Sequence, residues 1–204
     1  MAPAAPFAPA LAPGFADPVH QSQRVFRALM SAMAEPGRVF ALPAPLAPPA
    51  PLTPELAALA LTLADFETPL FLDAQLAASA PVRGFLAFHT GAPLTAEPAA
   101  APFALLRDGA AMGELTAFAQ GEPDYPDRAA TVIVAVDEIA AGPLALEGPG
   151  IAGRRAFGAA PLPADFAARL AANRRGFPLG VDLVLVAPGR VAALPRSVRL
   201  AEGA

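Results

Sequence analysis

Phe177-Pro178-Leu179-Gly180-Val181-Asp182-Leu183-Val184-Leu185-Val186 is the stretch whose reading decides the fold. Its second half is a continuous run of β-branched and leucine residues. Such a run suits a strand buried on both faces of a sheet, because a half-buried strand would alternate apolar with polar positions. Pro178 restricts the residue before it to extended backbone, and Gly180 allows a tight backbone position. Asp182 puts a carboxylate at the very start of the buried segment. It is either a structural polar anchor or part of a pocket wall, since ligands of α/β folds gather near strand ends.

Working outward, Ala187-Pro188-Gly189-Arg190 has the residues of a type II turn, which folds Val191–Leu194 back as an antiparallel partner. On the other side, Pro163 opens a helix with Asp165 in its first turn. Phe166 and Leu170 share one face of it, Arg174 and Arg175 end it, and Gly176 follows as the C′ residue. Ala130–Val136 reads as a second strand buried on both faces. Asp17-Pro18 reads as an N-cap and first helical position, opening a helix that places Val25, Phe26, Leu29, Met30 and Met33 on one face and stops at Pro36-Gly37. A second helix runs from Thr53 through Asp65, with Glu55 in its first turn, and a third from about Ala74 to Phe88. Shorter strands are expected at 38–42, 69–73, 103–106 and 144–147, and a short helix at Gly113–Ala119. Glu122, Asp124 and Asp127 surround Tyr125 in a loop. Strands alternating with helices, plus hairpins, predict an α/β fold, a three-layer α/β/α sandwich around a mixed sheet.

The 204 residues are enough for one sizeable α/β domain, expected over 17–204. The Ala/Pro-rich arm 1–16 has too little to bury and is expected to be disordered. All 14 basic residues are arginine and there is no cysteine. The chain therefore forms no Schiff base with pyridoxal phosphate, has no P-loop lysine, and offers no thiolate to a metal or an iron–sulfur cluster. The N-terminus lacks a basic region and is broken by four prolines, so neither a secretion signal nor a membrane anchor is expected, and the chain reads as cytoplasmic. A net charge of −4 and a pI near 5.1 give no electrostatic footprint for nucleic acid. Hydrophobic residues make up 55 % of the chain. The GC-rich codon usage suggested by abundant Ala, Pro, Gly and Arg explains part of that; any apolar excess left outside would mark a partner surface.

Gly148-Pro149-Gly150-Ile151-Ala152-Gly153 matches the glycine fingerprint of dinucleotide-binding folds. Arg154 and two prolines follow it instead of a helix, so a glycine-rich hairpin turn is the simpler reading. His20 and His89 show no metal-ligand spacing, and no serine lies in a nucleophile elbow. His89-Thr90 reads as a helix C-terminal cap. The pairs Arg154/Arg155 and Arg174/Arg175 could bind phosphate, the second pair equally serving a helix end. The run Pro43–Pro54 reads as a stiff surface loop.

Six blocks taken together resemble a known family. They are Phe26-Arg27; Met33-Ala34-Glu35-Pro36-Gly37; Leu61–Asp65 with Thr68-Pro69; Phe88-His89-Thr90 with Ala92-Pro93-Leu94; Phe177–Leu183; and Pro195-Arg196. In this order and spacing they resemble the H subunit (PhnH family) of the bacterial carbon–phosphorus (C–P) lyase system, from about Asp17 to Arg199. The resemblance implies a subunit of the C–P lyase core complex for organophosphonate catabolism. With subunits G and I, that complex performs ATP-dependent formation of ribose 1-phosphonate 5-triphosphate. It further implies a fold similar to pyridoxal-phosphate-dependent transferases without the cofactor, MgATP used only by the complex, a homodimer when isolated, and G, I and J as partners. No catalytic residue is carried over. Glu35, Pro36, Gly37, Asp65, His89, Thr90, Asp182 and Arg196 are the positions of interest in the matched blocks. The leading expectation is an assembly subunit with no active site of its own, and the alternative is a stand-alone nucleotide- or phosphonate-binding enzyme using the cleft near Asp182.

Overall fold

The run around Val184 lies in the interior of the largest sheet, as its composition requires. The computed structural model describes residues 11–201. In chain order its elements are α1 (Pro18–Ala34), β1 (Phe40–Ala41), α2 (Pro54–Leu63), β2 (Leu70–Leu72), α3 (Ala74–Ala78), α4 (Ala80–Thr90), β3 (Leu94–Thr95) and β4 (Phe103–Leu106). There follow β5 (Gln120–Glu122), β6 (Tyr125–Ala129), β7 (Thr131–Ala135), β8 (Glu138–Glu147), β9 (Arg155–Ala160), α5 (Phe166–Arg175), β10 (Asp182–Ala187), β11 (Arg190–Leu194) and β12 (Arg199–Leu200). The fold is α/β with a mixed seven-stranded sheet, in the order β1-β11-β10-β7-β4-β2-β3. β10 pairs in parallel with β7 and antiparallel with β11, so it has a neighbour on each side.

The two faces of this sheet carry separate cores. Val184 and Val186 of β10 and Ile133 of β7 face a core built with α1, α2 and α4. Leu183, Leu185, Val132 and Val134 face the opposite core, closed by α5 and by a second sheet of order β12-β8-β9. A strand that fills two cores has no face left for polar residues, which explains the unbroken apolar runs of β7 and β10.

Local signals set the helix starts. The side chains of Asp17, Thr53, Asp73 and Ser79 each accept a backbone N–H three residues ahead, and Pro18 and Pro54 stand in the first helical turns. Glu55 does more than complement the helix dipole: it is buried and accepts the Gly189 N–H at 2.9 Å, tying α2 to the β10–β11 turn. Gly189 has φ +69, as the expected turn requires.

Four local expectations are corrected. The helix over 74–88 is two helices, because Ser79 is extended, ends α3 and caps α4, and Pro81 has no N–H to continue the first ladder. Gly113–Ala119 forms only a 3-10 turn at Leu115–Ala117, which suits buried Leu115 and Phe118 spaced three apart. The loop around Tyr125 is the hairpin β5–β6. Strand 144–147 is the end of the ten-residue β8, paired with the unexpected β9. A register shift between Ala140 and Leu144 hides that strand's alternation.

Of the arm expected over 1–16, residues 1–10 lie outside the described residues, whereas Ala12 and Phe15 pack against the first core. The Pro43–Pro54 loop is anchored by buried Leu52, with Ala44 and Leu46 against the same core. Among the described residues no helix is long and apolar enough to cross a membrane.

Candidate functional site

Asp182 opens β10, and Arg196 follows the end of β11, so the antiparallel pairing of the two strands brings them face to face. Arg196 Nη2 donates to Asp182 Oδ2 at 2.6 Å and Nε donates to Oδ1 at 3.1 Å, while the Arg196 backbone N–H donates to Oδ1 at 2.8 Å. The remaining guanidinium nitrogen, Nη1, donates to the Pro126 carbonyl. Both side chains are about 15 % exposed. Every oxygen of the carboxylate is therefore engaged, and the geometry is the bidentate fork that arginine forms best.

The residues before Asp182 are held just as closely. Asn173, buried in α5, accepts the Val181 N–H at 2.8 Å and donates to the Val181 carbonyl at 2.9 Å. Gly180 has φ +114, and a Cβ there would meet Asn173 Oδ1 at 2.8 Å. Asn173 was not foreseen. It is seven residues beyond Phe166 and three beyond Leu170, on the core-facing side of the helix, and a polar residue in that register is the signal that could have found it.

A cleft of about 530 Å³ opens beside this ion pair, lined by Met33, Ala34, Pro126, Pro149, Gly150, Phe177, Pro178, Asp182, Pro195 and Arg196 among others. Three of the six sequence blocks converge here. The Gly148–Gly153 turn joins β8 to β9, so the hairpin reading of the glycine run holds. It presses on the end of α1: a Cβ on Gly150 would lie 2.1 Å from the Ala34 carbonyl oxygen. Arg155 Nη1 donates to the carbonyls of Glu35 and Pro36 at 3.1 and 2.6 Å. Glu35 is paired with Arg38 at 2.7 Å, and Gly37, at φ +72, packs under Leu146.

The cleft wall is thus mostly apolar; Asp182 and Arg196 are spent on one another, while Asp127, exposed on the same wall, has no ion pair among the described residues. The arginine pairs expected as phosphate binders are likewise occupied in part. Arg154 pairs with Glu147 at 2.9 Å, Arg155 holds the end of α1, and Arg174 stacks over Phe177 at 4.3 Å.

Two further blocks meet elsewhere, at the C-terminal ends of α2 and α4. Asp65 Oδ1 accepts the Thr68 hydroxyl at 2.6 Å and the Glu67 N–H at 3.0 Å, which together hold its carboxyl below the usual carboxylate range. Thr90 donates to the Leu86 carbonyl at 2.7 Å, as a helix-end residue does. His89 corrects the capping expectation: its Nε2 lies 2.9 Å from the Ala12 carbonyl, 77 residues away, so it fastens the N-terminal segment. A carbonyl can only accept, so Nε2 carries the proton. Gly91 packs beside Phe66. His20 pairs with Asp17 at 2.8 Å. Among the described residues no group of three His, Asp or Glu is placed to hold a metal ion.

The sequence model of the family described as bacterial phosphonate metabolism protein (PhnH) matches residues 13–201. The chain is 43 % identical over 187 residues to the alpha-D-ribose 1-methylphosphonate 5-triphosphate synthase subunit PhnH of Rhizobium meliloti strain 1021, covering 91 % of this chain and 93 % of that protein. It is 32 % identical over 183 residues to HtxG of Stutzerimonas stutzeri, which carries the name of a C-P lyase subunit protein, covering 88 % of this chain and 86 % of that one.

Proposed function

The chain belongs to the PhnH family of bacterial phosphonate metabolism proteins, and from that premise we propose that it is a subunit of the C–P lyase core complex. Its work there is to support, with subunits G and I, the ATP-dependent formation of ribose 1-phosphonate 5-triphosphate from organophosphonates. The observation that carries this reading is the extent of the likeness to the Rhizobium meliloti subunit, which spans nine-tenths of both chains.

The role within the complex is assembly, with no active site in this chain. The engagement of Asp182 by Arg196 supports that part, because three of the carboxylate's four acceptor sites are taken within the chain and its charge is met by a bidentate guanidinium. MgATP is then a substrate of the assembly, and this subunit carries no cofactor. The wider reading includes a homodimer in isolation, G, I and J as partners, a cytoplasmic location, and neither nucleic acid nor membrane as a ligand. It also includes a three-layer arrangement akin to pyridoxal-phosphate transferases, in support of which helices cover one sheet face and α5 with the β8–β9 hairpin covers the other.

Deletion of the gene tests the function. The strain should fail to grow on methylphosphonate as sole phosphorus source and recover when the chain is supplied in trans. Unimpaired growth of the deletion strain would overturn the reading.

A further inference from the structure

Helix α1 is apolar on two sides. Val25, Leu29 and Ala32 enter the core, yet Val19, Phe26 and Met30 face solvent with exposures of 63, 47 and 47 %. Positions 19, 26 and 30 are seven and four residues apart, so at about 100° per residue they fall within roughly 40° of one another and form a stripe. Met33 extends the stripe into the wall of the Asp182 cleft, where Phe177 is also exposed. From Val19 to Met33 the stripe runs roughly 21 Å. Beside Phe26 lies a hollow of about 260 Å³, lined by Ser22, Gln23, Arg27 and Thr62 of α2.

The charge along this face is one-sided. Arg27 borders the stripe and Arg24 precedes it by one turn. Both are exposed, and neither has an ion pair or side-chain hydrogen bond among the described residues. The acids of the helix and its C-cap, Asp17 and Glu35, stand at its two ends and are paired with His20 and Arg38, although Arg24 adds a weak electrostatic pull on Asp17. The chain as a whole is negative, at −4, so this is a local basic margin around apolar side chains.

We propose that the outer face of α1 is a docking surface for an amphipathic helix of a partner subunit, whose apolar stripe is flanked by Asp or Glu. A convex helix bearing apolar residues at spacings of four and seven packs by ridges into grooves against another helix, and the hollow beside Phe26 receives its central anchor side chain. The occupant is not a second copy of this chain. A two-fold pairing places the same patch against itself, and that patch offers no unpaired acid to Arg24 or Arg27 of the other copy. An acidic flank on a different chain answers both arginines.

This proposal rests on the subunit reading above, and one experiment separates their failures. The tagged chain is co-expressed with subunits G, I and J of the same genome and sized by exclusion chromatography with mass detection. Variants are F26D/M30D, R24E/R27E, and F88D as a control on a different helix, α4, at a position that is 69 % exposed. Wild type and F88D should give a stoichiometric complex, F26D/M30D should lose it, and R24E/R27E should bind at least tenfold more weakly. If wild type gives no complex, the subunit reading fails. If wild type assembles and both folded α1 variants assemble equally well, the docking proposal alone fails. It fails too if those variants enter the complex and lose only self-association. Should F26D/M30D not fold, R24E/R27E decides, since both of its positions are exposed. A photo-crosslinker at Gln23 should join an amphipathic, acid-flanked segment of a partner; a basic segment there would overturn the proposal.

Discussion

Asp182 and Arg196, together at the open end of the β10–β11 hairpin, close a bidentate ion pair that also carries a backbone hydrogen bond and a link to Pro126 on the β6 strand. The pair joins three segments of chain at the floor of the cleft. Breaking one partner leaves the other charge largely out of water, which is costlier than replacing both.

Asp182→Asn should therefore destabilise the protein by about 2–4 kcal/mol. Replacing both residues by apolar ones of similar volume should cost less than either single change. Urea unfolding of the three variants checks the order, and a double variant as unstable as the sum of the singles would contradict it.

Asn173→Ala removes both hydrogen bonds to Val181 and leaves that buried backbone N–H and carbonyl unpaired. A loss of about 2–3 kcal/mol is expected, or roughly 4–12 °C in Tm for a chain of this size. Asn173→Asp should not rescue, because a carboxylate cannot donate to the Val181 carbonyl. Differential scanning calorimetry reads both.

Gly150 and Gly153 share a turn and positive φ angles but differ in surroundings. A Cβ at 150 would strike the Ala34 carbonyl at 2.1 Å, whereas nothing lies within 4 Å of one at 153. Gly153→Ala should cost about 1–2 kcal/mol from backbone strain alone, and Gly150→Ala clearly more, by forcing the β8–β9 turn off α1. Equal losses in chemical denaturation would show that the turn does not bear on the helix.

Asp65 supplies the pH test. Its carboxyl is held low in the fold, first by the Thr68 hydroxyl and then by the Glu67 N–H. A depressed folded-state pKa contributes stability above the ordinary carboxylate value and loses it as pH falls through the folded value. Thr68→Val should raise the Asp65 pKa toward the ordinary value and shift the acid limb of the stability profile upward in pH. Carboxyl NMR titration of wild type and variant measures it; an unmoved pKa would assign the shift to the backbone instead.

Local signals in the chain determined a good deal. The apolar runs within 130–136 and 181–186 announced strands buried on both faces, Pro188-Gly189 announced the turn, and Asp17 and Thr53 announced helix starts. Each depends on neighbours within a few residues, where backbone geometry and side-chain period act directly. The six blocks disclosed the family because their order and spacing survive without knowledge of contacts.

Only the tertiary structure decided what those blocks do to one another. Arg155 reaches the carbonyls of Glu35 and Pro36 across some 120 positions, His89 holds Ala12 across 77, and Arg196 consumes the carboxylate of Asp182. The β8–β9 pairing, interrupted at Gly142 and Pro143, has no clean alternation to betray it. Such partners are chosen by where the whole sheet places them, and a charged side chain looks the same in sequence whether the fold leaves it free or satisfies it.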